Sequence, residues 1–164
     1  MVLLMKERRA MVRLIEPTSA SHIEAVRELW KEYWDWLDFE PCFQDFDREV
    51  MNLPGEYGSP DGCMVLAMVD SEVAGCVALR RLENNRCEMK RLYVRPTFRG
   101  HKVGFSLAAK IVDEGRKRGY TAMRLDTLPR MEKAIAIYEA LGFREVEPYT
   151  EEPIDGAKYL ELSL

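Results

Sequence analysis

Apolar residues recur along the chain with two different spacings, which mark the predicted elements. Between residues 23 and 37 they recur every three or four positions, which predicts an amphipathic helix. Short apolar or alternating runs bounded by turn residues predict strands. In chain order we predict a strand at 12–16, helices at 23–37 and from Pro41 to about Leu53, strands at 63–69, 73–80 and 88–94, a helix from 103, a strand at 121–127, a helix at 132–141, and strands at 143–149 and 157–162.

Local signals place several element boundaries. Ser21 and Glu24 have the spacing of a capping box at the start of the first helix. The pair Asn84-Asn85 marks a tight turn between two strands, and Pro129 is well placed at a helix start. Gly142 closes the last helix.

These elements predict an α/β fold (α+β under some schemes) with a mixed central sheet and helices on both faces. The short turns joining the strands at 63–69, 73–80 and 88–94 imply an antiparallel meander. The strand–helix–strand crossover that follows implies a parallel pair between the strands near residues 90 and 124. We expect residues 11–164 to form one domain, with residues 1–10 as a loose extension or an upstream start.

The charge pattern argues against a generic nucleic-acid binder. The formal net charge is −4, with 24 Lys and Arg against 28 Asp and Glu, the wrong sign for binding a phosphate backbone. Eight basic residues nevertheless crowd the stretch from Arg80 to Lys102, against two acidic ones. Such a basic island suits a small polyanion, although a solvated strand face is the preferred interpretation of Arg80, Arg81 and Arg86.

Neither metal nor membrane chemistry is indicated. The cysteines form no C-x-x-C pair and have no interleaved histidines, so we interpret them as reduced core residues; they are Cys42, Cys63, Cys76 and Cys87. No apolar run approaches the roughly 18 residues of a membrane span, and the start becomes charged too soon for a signal peptide. We expect a cytoplasmic protein without metal, membrane or nucleic-acid partner, for which a homodimer stays open.

The stretch from Met89 to Gly104 predicts a strand, a glycine-bearing basic loop and a helix start. The free N–H groups and the dipole of a helix N-terminus favour an anion such as a phosphate. The known phosphate motifs do not fit, because Gly-x-x-x-x-Gly-Lys-[Ser/Thr] and Gly-x-Gly-x-x-Gly are both missing here. A phosphate-loop nucleotidase is therefore disfavoured.

Two motifs in this setting resemble those of the GNAT N-acetyltransferase superfamily. The first is a strand ending in Val-x-Pro followed by [Gln/Arg]-x-x-Gly-x-[Gly/Ala]; Arg99 and Gly104 match it, and Lys102 replaces the middle glycine. The second is Ala-x-x-Leu-Tyr-x-x-x-Gly-Phe, closely matched by residues 134–143. The resemblance runs from about Val12 to the C-terminus, and it implies acetyl-CoA as the cosubstrate.

The resemblance implies which residues bind the cofactor. The strand residues Leu92, Tyr93 and Val94 would align the pantetheine and polarise the thioester carbonyl through their backbone amides. The pyrophosphate would lie against the next segment, which comprises Arg99, Gly100, His101, Lys102, Val103, Gly104 and Phe105. Because Lys102 has a Cβ atom, it must keep φ below zero or accept left-handed strain.

The resemblance also implies direct transfer, with Tyr138 as the general acid for the departing sulfur. The alternative for Tyr138 is a core aromatic residue on an apolar helix face. Asp126 aligns with a carboxylate that is the base in some ribosomal-protein acetyltransferases, whose cofactor-binding Asn is replaced here by Met131. Glu88 is a rival base, and a water relay to Asp45 or Glu40 stays open.

In the resemblance, the first helical hairpin forms one wall of the acceptor site. Its aromatic and acidic residues Trp34, Glu40, Phe43 and Asp45 would suit a cationic amine on a small molecule or peptide. Simple packing is the alternative for each aromatic residue. An acyl-CoA sensor or scaffold without turnover, and transfer of another acyl group, stay open as functions.

Overall fold

One mixed sheet with helices on both faces makes up the protein. The computed structural model describes residues 9–37 and 43–164, and the elements there are β1 (Val12–Ile15), α1 (Ala20–Leu37), α2 (Phe43–Met51), β2 (Cys63–Val69), β3 (Glu72–Arg81), β4 (Arg86–Val94), α3 (Val103–Lys117), β5 (Ala122–Thr127), α4 (Glu132–Ala140), β6 (Arg144–Val146) and β7 (Lys158–Ser163). The strand order is β1-β2-β3-β4-β5-β7-β6. β4 and β5 are parallel and the other neighbours antiparallel. The predicted fold class is confirmed.

The sheet is buried on both faces because successive strand residues contribute to opposite cores. In β3, Val77 and Leu79 belong to the core under α3, whereas Cys76 and Ala78 belong to the core under α1 and α2. Each fully buried leucine or valine side chain contributes roughly 1.5–3 kcal/mol. Two buried faces explain why β2 and β3 appear as nearly continuous apolar runs.

Helix α1 begins earlier than its predicted capping box. The Ser19 hydroxyl accepts a hydrogen bond from the His22 N–H at 3.1 Å, so Ser19 caps the helix. The predicted box at Ser21 and Glu24 is therefore wrong. The Glu24 carboxylate instead pairs with Arg27, one turn further along the helix, at 3.1 Å.

One signal and one boundary after β5 differ from the predictions. Helix α4 begins at Glu132, as predicted, but Pro129 does not start it: Pro129 lies in the preceding turn, which is closed by the Met131 N–H and the Leu128 carbonyl at 2.9 Å. Strand β6 ends at Val146 rather than at residue 149, because the chain then leaves the sheet. Three residues further on, Tyr149 is hydrogen-bonded to a side chain of β4.

The N-terminal prediction is only partly covered by the structure. Residues 1–8 and 38–42 lie outside the described residues. Ala10 packs against the core under α3. The Met11 N–H donates to the Asp70 carboxylate at 3.1 Å, and the Asp70 N–H donates to the Met11 carbonyl at 3.1 Å. The prediction of a loose extension over residues 1–10 therefore stays a prediction.

Three of the cysteines are buried free thiols, namely Cys63, Cys76 and Cys87; Cys42 lies outside the described residues. Among residues 9–37 and 43–164, no His, Cys, Asp and Glu side chains gather in a group of three that could hold a metal. Over the same residues, every helix is too short or too polar to cross a bilayer.

Candidate active site

The candidate site lies where β4 and β5 separate. Their parallel pairing joins residues 86–88 to residues 122–124. Beyond this pairing lies a cavity of about 130 Å³. Its wall includes side chains from α1, β4, β5 and α4, among them Tyr33, Lys90, Arg91, Asp126, Met131 and Tyr138.

A bulge in β4 shapes the backbone beside this cavity. Cys76 of β3 pairs with Tyr93, and Ala78 pairs with Lys90, so one residue of β3 faces two of β4. The first of these two, Arg91, has a φ of +58°. Such a bulge shifts the alternation of side chains along the strand. Lys90 and Arg91 therefore both contribute to the cavity wall.

Beyond the bulge, β4 presents backbone donors to the edge that β5 has left. The Arg95 N–H bonds to the Ala74 carbonyl of β3 at 2.8 Å. Successive residues of a strand direct their N–H groups to opposite edges. The Val94 N–H therefore points away from β3, toward the gap between β4 and β5. An extended ligand lying in this gap could pair with it as a strand would.

The loop after β4, residues 99–104, is the cofactor loop, named for its predicted role. It follows a 3-10 turn at Pro96–Phe98 and ends in the first turn of α3. Lys102 precedes the helix with a φ of +57°. Of the two conformations expected for it, it therefore adopts the strained left-handed one and not the one with φ below zero. The predicted cofactor residues are exposed here except for Val103 and Gly104; the exposed ones are Arg99, Gly100, His101, Lys102 and Phe105.

Gly104 brings the first turn of α3 close to two neighbouring elements. A Cβ atom at this position would lie 3.2 Å from Ile137 Cδ1 of α4 and 3.7 Å from Val94 Cγ2 of β4. The unpaired N–H groups of that turn carry partial positive charge. They therefore lie beside the end of β4, next to the elements that line the cavity.

Arg99 links the cofactor loop to the end of α1. Its Nε donates to the Val94 carbonyl at 3.0 Å, and its guanidinium lies 5.5 Å from the centre of the Trp36 ring. Trp36 in turn stacks on Tyr33 of the cavity wall, at 6.3 Å between ring centres. The terminal nitrogens of Arg99 make no hydrogen bond within the described residues, and they are suited to an anion.

Tyr138 is the buried residue of α4 and also lines the cavity. Its ring packs edge-on against Phe143 at 5.9 Å. The hydroxyl forms no hydrogen bond with the part of the chain that the structure describes. Burial raises the pKa of Tyr138, and the neighbouring Tyr33 and Asp126 raise it further. The phenol is therefore a protonated, uncommitted donor at neutral pH.

The Asp126 carboxylate reaches the same cavity from β5. Its Oδ1 lies 3.8 Å from the Lys90 ammonium, and its side chain is 24% exposed. Burial raises the pKa of Tyr33 to about 12, against the lowering effect of Arg91, and Asp126 raises it as a smaller cause. Tyr33 and Tyr138 are thus both affected by Asp126 across the cavity.

Glu88, the other predicted base, is enclosed and fully engaged. Its side chain is 3% exposed, and its Oε1 accepts from Arg80 Nε at 2.8 Å. Its Oε2 accepts from the Tyr149 hydroxyl at 2.6 Å. Burial alone would raise the pKa of Glu88, but Lys90, Arg80 and the Tyr149 hydrogen bond together lower it. A carboxylate held in this way is a poor proton acceptor.

The predicted acceptor residues are only partly described. Trp34 lines the cavity and stacks on Phe46 at 4.3 Å. Asp45 is exposed in the first turn of α2. Glu40 and the side chain of Phe43 lie outside the described residues. A role for these four residues, and the water relay to Asp45 or Glu40, stay predictions.

Four side chains at or behind the cavity were not expected from the sequence pattern. Tyr33 is part of the apolar stripe of α1, and Lys90 and Arg91 appeared only as members of a basic island. Tyr149 follows a strand that was predicted too long. Only the bulge, which reverses the alternation of β4, brings Lys90 and Arg91 to the same wall, and no spacing in the sequence marks it.

The first three arginines of the basic island take part in ion pairs within the protein. Arg80 pairs with Glu56 as well as Glu88, at 2.8 Å in both cases. The other two pairs are longer, Arg81 with Asp61 at 3.4 Å and Arg86 with Glu161 at 3.9 Å.

Comparisons with known proteins place these features in a family. The sequence profile described as the acetyltransferase (GNAT) family matches residues 23–143. An uncharacterised N-acetyltransferase of Schizosaccharomyces pombe is 38% identical over 144 residues, covering 87% of this chain and 88% of that protein. The resemblance noted in the two sequence motifs is confirmed.

Solved structures show the same fold. A GNAT-family acetyltransferase from Staphylococcus aureus has a TM-score of 0.78 at 21% identity, covering 93% of this chain and 99% of that one. The PaiA N-acetyltransferase from Thermoplasma acidophilum, in complex with coenzyme A, has a TM-score of 0.71 at 19% identity, covering 94% and 99%.

Proposed function

Because the chain belongs to the GNAT family of acetyltransferases, we propose that it transfers an acetyl group from acetyl-CoA directly to a primary amine. Family membership makes the protein an N-acetyltransferase; the donor, the direct transfer and the residue roles are the proposal. The observation that carries it is that Tyr138 and Asp126 reach one cavity from different elements, where β4 and β5 separate.

The residues around the cofactor loop suit a phosphorylated thioester. The first-turn N–H groups of α3 and the terminal nitrogens of Arg99 would hold a pyrophosphate. The Val94 N–H at the open edge of β4 would pair with the pantetheine arm. Gly104, which has no side chain, leaves the start of α3 close to β4. Acetyl-CoA supplies the acetyl group in activated thioester form.

Asp126 suits the general base. An amine must lose a proton as its nitrogen bonds to the carbonyl carbon and the carbon–sulfur bond breaks. A lysine-like amine with a pKa of about 10.4 is mostly protonated at neutral pH, so the protein must accept that proton. Asp126 lines the cavity and can do so. Glu88 is the weaker candidate because both of its oxygens already accept hydrogen bonds.

Tyr138 suits the general acid. Its raised pKa keeps the phenol protonated, and its unengaged hydroxyl can donate to the departing sulfur. The same burial that raises the pKa of the phenol also disfavours a thiolate, which makes the sulfur a stronger proton acceptor inside the cavity. Backbone N–H groups of β4 would stabilise the charge that develops on the carbonyl oxygen.

The charge of the acceptor stays a separate question. The acidic residues of the first helical hairpin, within residues 35–56, predicted a cationic amine. Of that stretch, residues 38–42 lie outside the described residues, and Asp35 and Asp45 are exposed. The described wall of the cavity carries Lys90 and Arg91 against Asp126.

The experiment that tests the proposal measures free thiol released from acetyl-CoA over a panel of polyamines, amino acids and peptides. We expect turnover by the native chain and a fall of roughly 10²- to 10⁴-fold for Tyr138→Phe and for Asp126→Asn, the usual size of general acid and base effects. Thermal stabilisation by CoA should be the same in all three proteins, which shows that the variants are folded and bind.

Other outcomes would decide against parts of the proposal. CoA-induced stabilisation without turnover on any acceptor would favour the sensor or scaffold. Faster turnover of another acyl-CoA would favour a different acyl group. A native rate for Tyr138→Phe would mean that Tyr138 is not the general acid. A larger loss of turnover for Glu88→Gln than for Asp126→Asn would mean that Glu88, rather than Asp126, is the general base.

A further inference from the structure

The Lys90 ammonium occupies an unusual position in the cavity wall. It lies 3.8 Å from Glu88 Oε1 and 3.8 Å from Asp126 Oδ1, so it is close to both carboxylates. Neither distance is that of a hydrogen bond. Its side chain is only 18% exposed. Within the residues that the structure describes, the three donors of this ammonium therefore have no protein acceptor.

The arginines of the same region are engaged differently. Arg80, Arg91 and Arg124 each donate to a carboxylate at 2.6–2.9 Å. Each of these guanidinium groups thereby has a direct hydrogen-bond partner, whereas Lys90 is ion-paired with Glu88 and Asp126 only at the longer distance of 3.8 Å. Lys90 is a cavity-wall cation with unused donors, and a partly enclosed ammonium of this kind favours an anionic acceptor atom.

We propose that the acceptor is an α-amino acid, with its carboxylate on Lys90 and its amine beside Asp126. This inference rests on the proposed acetyl transfer and names its substrate class. The amine nitrogen and the carboxyl carbon of an α-amino acid are two bonds apart, about 2.5 Å. The ammonium of Lys90 and the carboxylate of Asp126 are 3.8 Å apart. The two charges of the substrate thus match Lys90 and Asp126. Arg91 also lines the cavity but donates to Glu49 at 2.9 Å, and the nearby Glu88 already accepts from Arg80 and Tyr149.

An acceptor with a second positive charge would lack this match. In the cavity it would place a cation beside Lys90, where enclosure weakens solvent screening. Glu151, Glu152 and Asp155, the carboxylates close in sequence to the cavity residue Ile154, are exposed. Exposed charges of this kind contribute little to a specific contact because water and salt screen them.

A matched pair of acceptors tests the proposal. The pair is an α-amino acid and its carboxamide, which has nearly the same shape but no carboxylate. For the native chain we expect kcat/KM, measured by thiol release, to be at least about tenfold higher for the acid. Lys90→Gln should remove that preference, chiefly by raising KM for the acid; the readout is the ratio of the two rates, in which any effect of Lys90 on Asp126 shared by both acceptors cancels.

Lys117→Gln is the control variant, because Lys117 lies in the last turn of α3 and pairs with Asp113 at 2.9 Å. It should keep the acid-to-amide ratio of the native chain. CoA-induced thermal stabilisation checks that both variants are folded. If Lys90 only stabilised the fold, or only acted on Asp126, Lys90→Gln would lower kcat/KM for the acid and for the amide by the same factor.

The outcomes separate this inference from the function it rests on. Preference for the amide or for a polyamine, or an unchanged ratio in Lys90→Gln, would overturn the α-amino acid and leave acetyl transfer intact. Failure of every acceptor despite CoA binding would overturn the proposed function, and the inference with it.

Discussion

The two halves of the candidate site are built by different means. The half proposed to bind the cofactor is one continuous stretch, β4 followed by the cofactor loop and the first turn of α3, and the groups expected to face the ligand are mainly backbone atoms. The acceptor half combines side chains from α1, β4, β5, α4 and the segment after β6. A site made by consecutive backbone leaves a spacing pattern in the sequence, whereas a site made by converging side chains does not.

The two halves also differ in how they are held. Conformation fixes the cofactor half, through left-handed φ angles at Arg91 and Lys102. Ionic contacts hold the acceptor half, where Glu88 joins Arg80 of β3 to Tyr149 beyond β6. Substitutions should therefore affect the two halves through different measurable quantities.

The largest effect is expected from Glu88→Gln in the acceptor half. The substitution removes a buried charge while its partners Arg80 and Lys90 remain, so the free energy of unfolding should fall by about 2–3 kcal/mol. CoA affinity should stay within about twofold, because in the proposed function backbone groups of α3 and β4 hold the cofactor. Urea unfolding and calorimetry measure the two quantities.

Glu56→Gln is the matched control, because Glu56 pairs with the same arginine at 2.8 Å but is 52% exposed. Glu56→Gln should lower the free energy of unfolding by less than about 1 kcal/mol. The lowered pKa of Glu88 also sets a pH dependence: its contribution is present above about pH 4.5 and is lost as pH falls through the lowered folded-state pKa. A stability difference between native and Glu88→Gln chains that persisted at lower pH would contradict this role.

An intermediate effect is expected from Gly104→Asp in the cofactor half. A carboxylate in the first turn of α3 would lie near the proposed pyrophosphate, so the Kd for CoA should rise by about tenfold. Stability should change little, because the favourable helix dipole offsets the close contact with Ile137. Calorimetry and thermal unfolding measure the two quantities.

Gly104→Ala separates charge from size, because it adds the same Cβ atom without a carboxylate. It should bind CoA more tightly than Gly104→Asp. Equal affinities for the two variants would assign the loss to contact with Ile137, and native affinity in Gly104→Asp would place the pyrophosphate elsewhere.

The same contrast explains what could be predicted from sequence. The order of elements, the parallel pair and the cofactor loop follow from local patterns, because turns, glycines and hydrophobic periods act over short distances. The start of α4 at residue 132 was predicted correctly, but Pro129 is not a helix start, since it lies in a turn at Leu128–Met131. Nothing in the pattern indicated the bulge at Arg91, because a bulge depends on the register between two strands.

The acceptor half illustrates the limit most clearly. Glu88 and Asp126 are both acidic strand residues, and the sequence offered no means of ranking them. Their environments separate them: Glu88 is 3% exposed and engaged by two donors, whereas Asp126 is 24% exposed on the cavity wall. One of the two donors that engage Glu88 is the hydroxyl of Tyr149, which lies 61 residues away in sequence.

The smallest effect is expected from Lys102→Gly, which restores the glycine that the family motif has at this position. Glycine adopts a φ of +57° without the penalty of a Cβ atom, so the free energy of unfolding should rise by about 0.5–1 kcal/mol. The Kd for CoA should rise about two- to fivefold if the ammonium offsets the strained backbone by attracting phosphate. Lys102→Ala, which keeps the strain but loses the charge, should weaken CoA binding without the gain in stability. Tighter CoA binding by Lys102→Gly would mean that the lysine only hinders the cofactor loop.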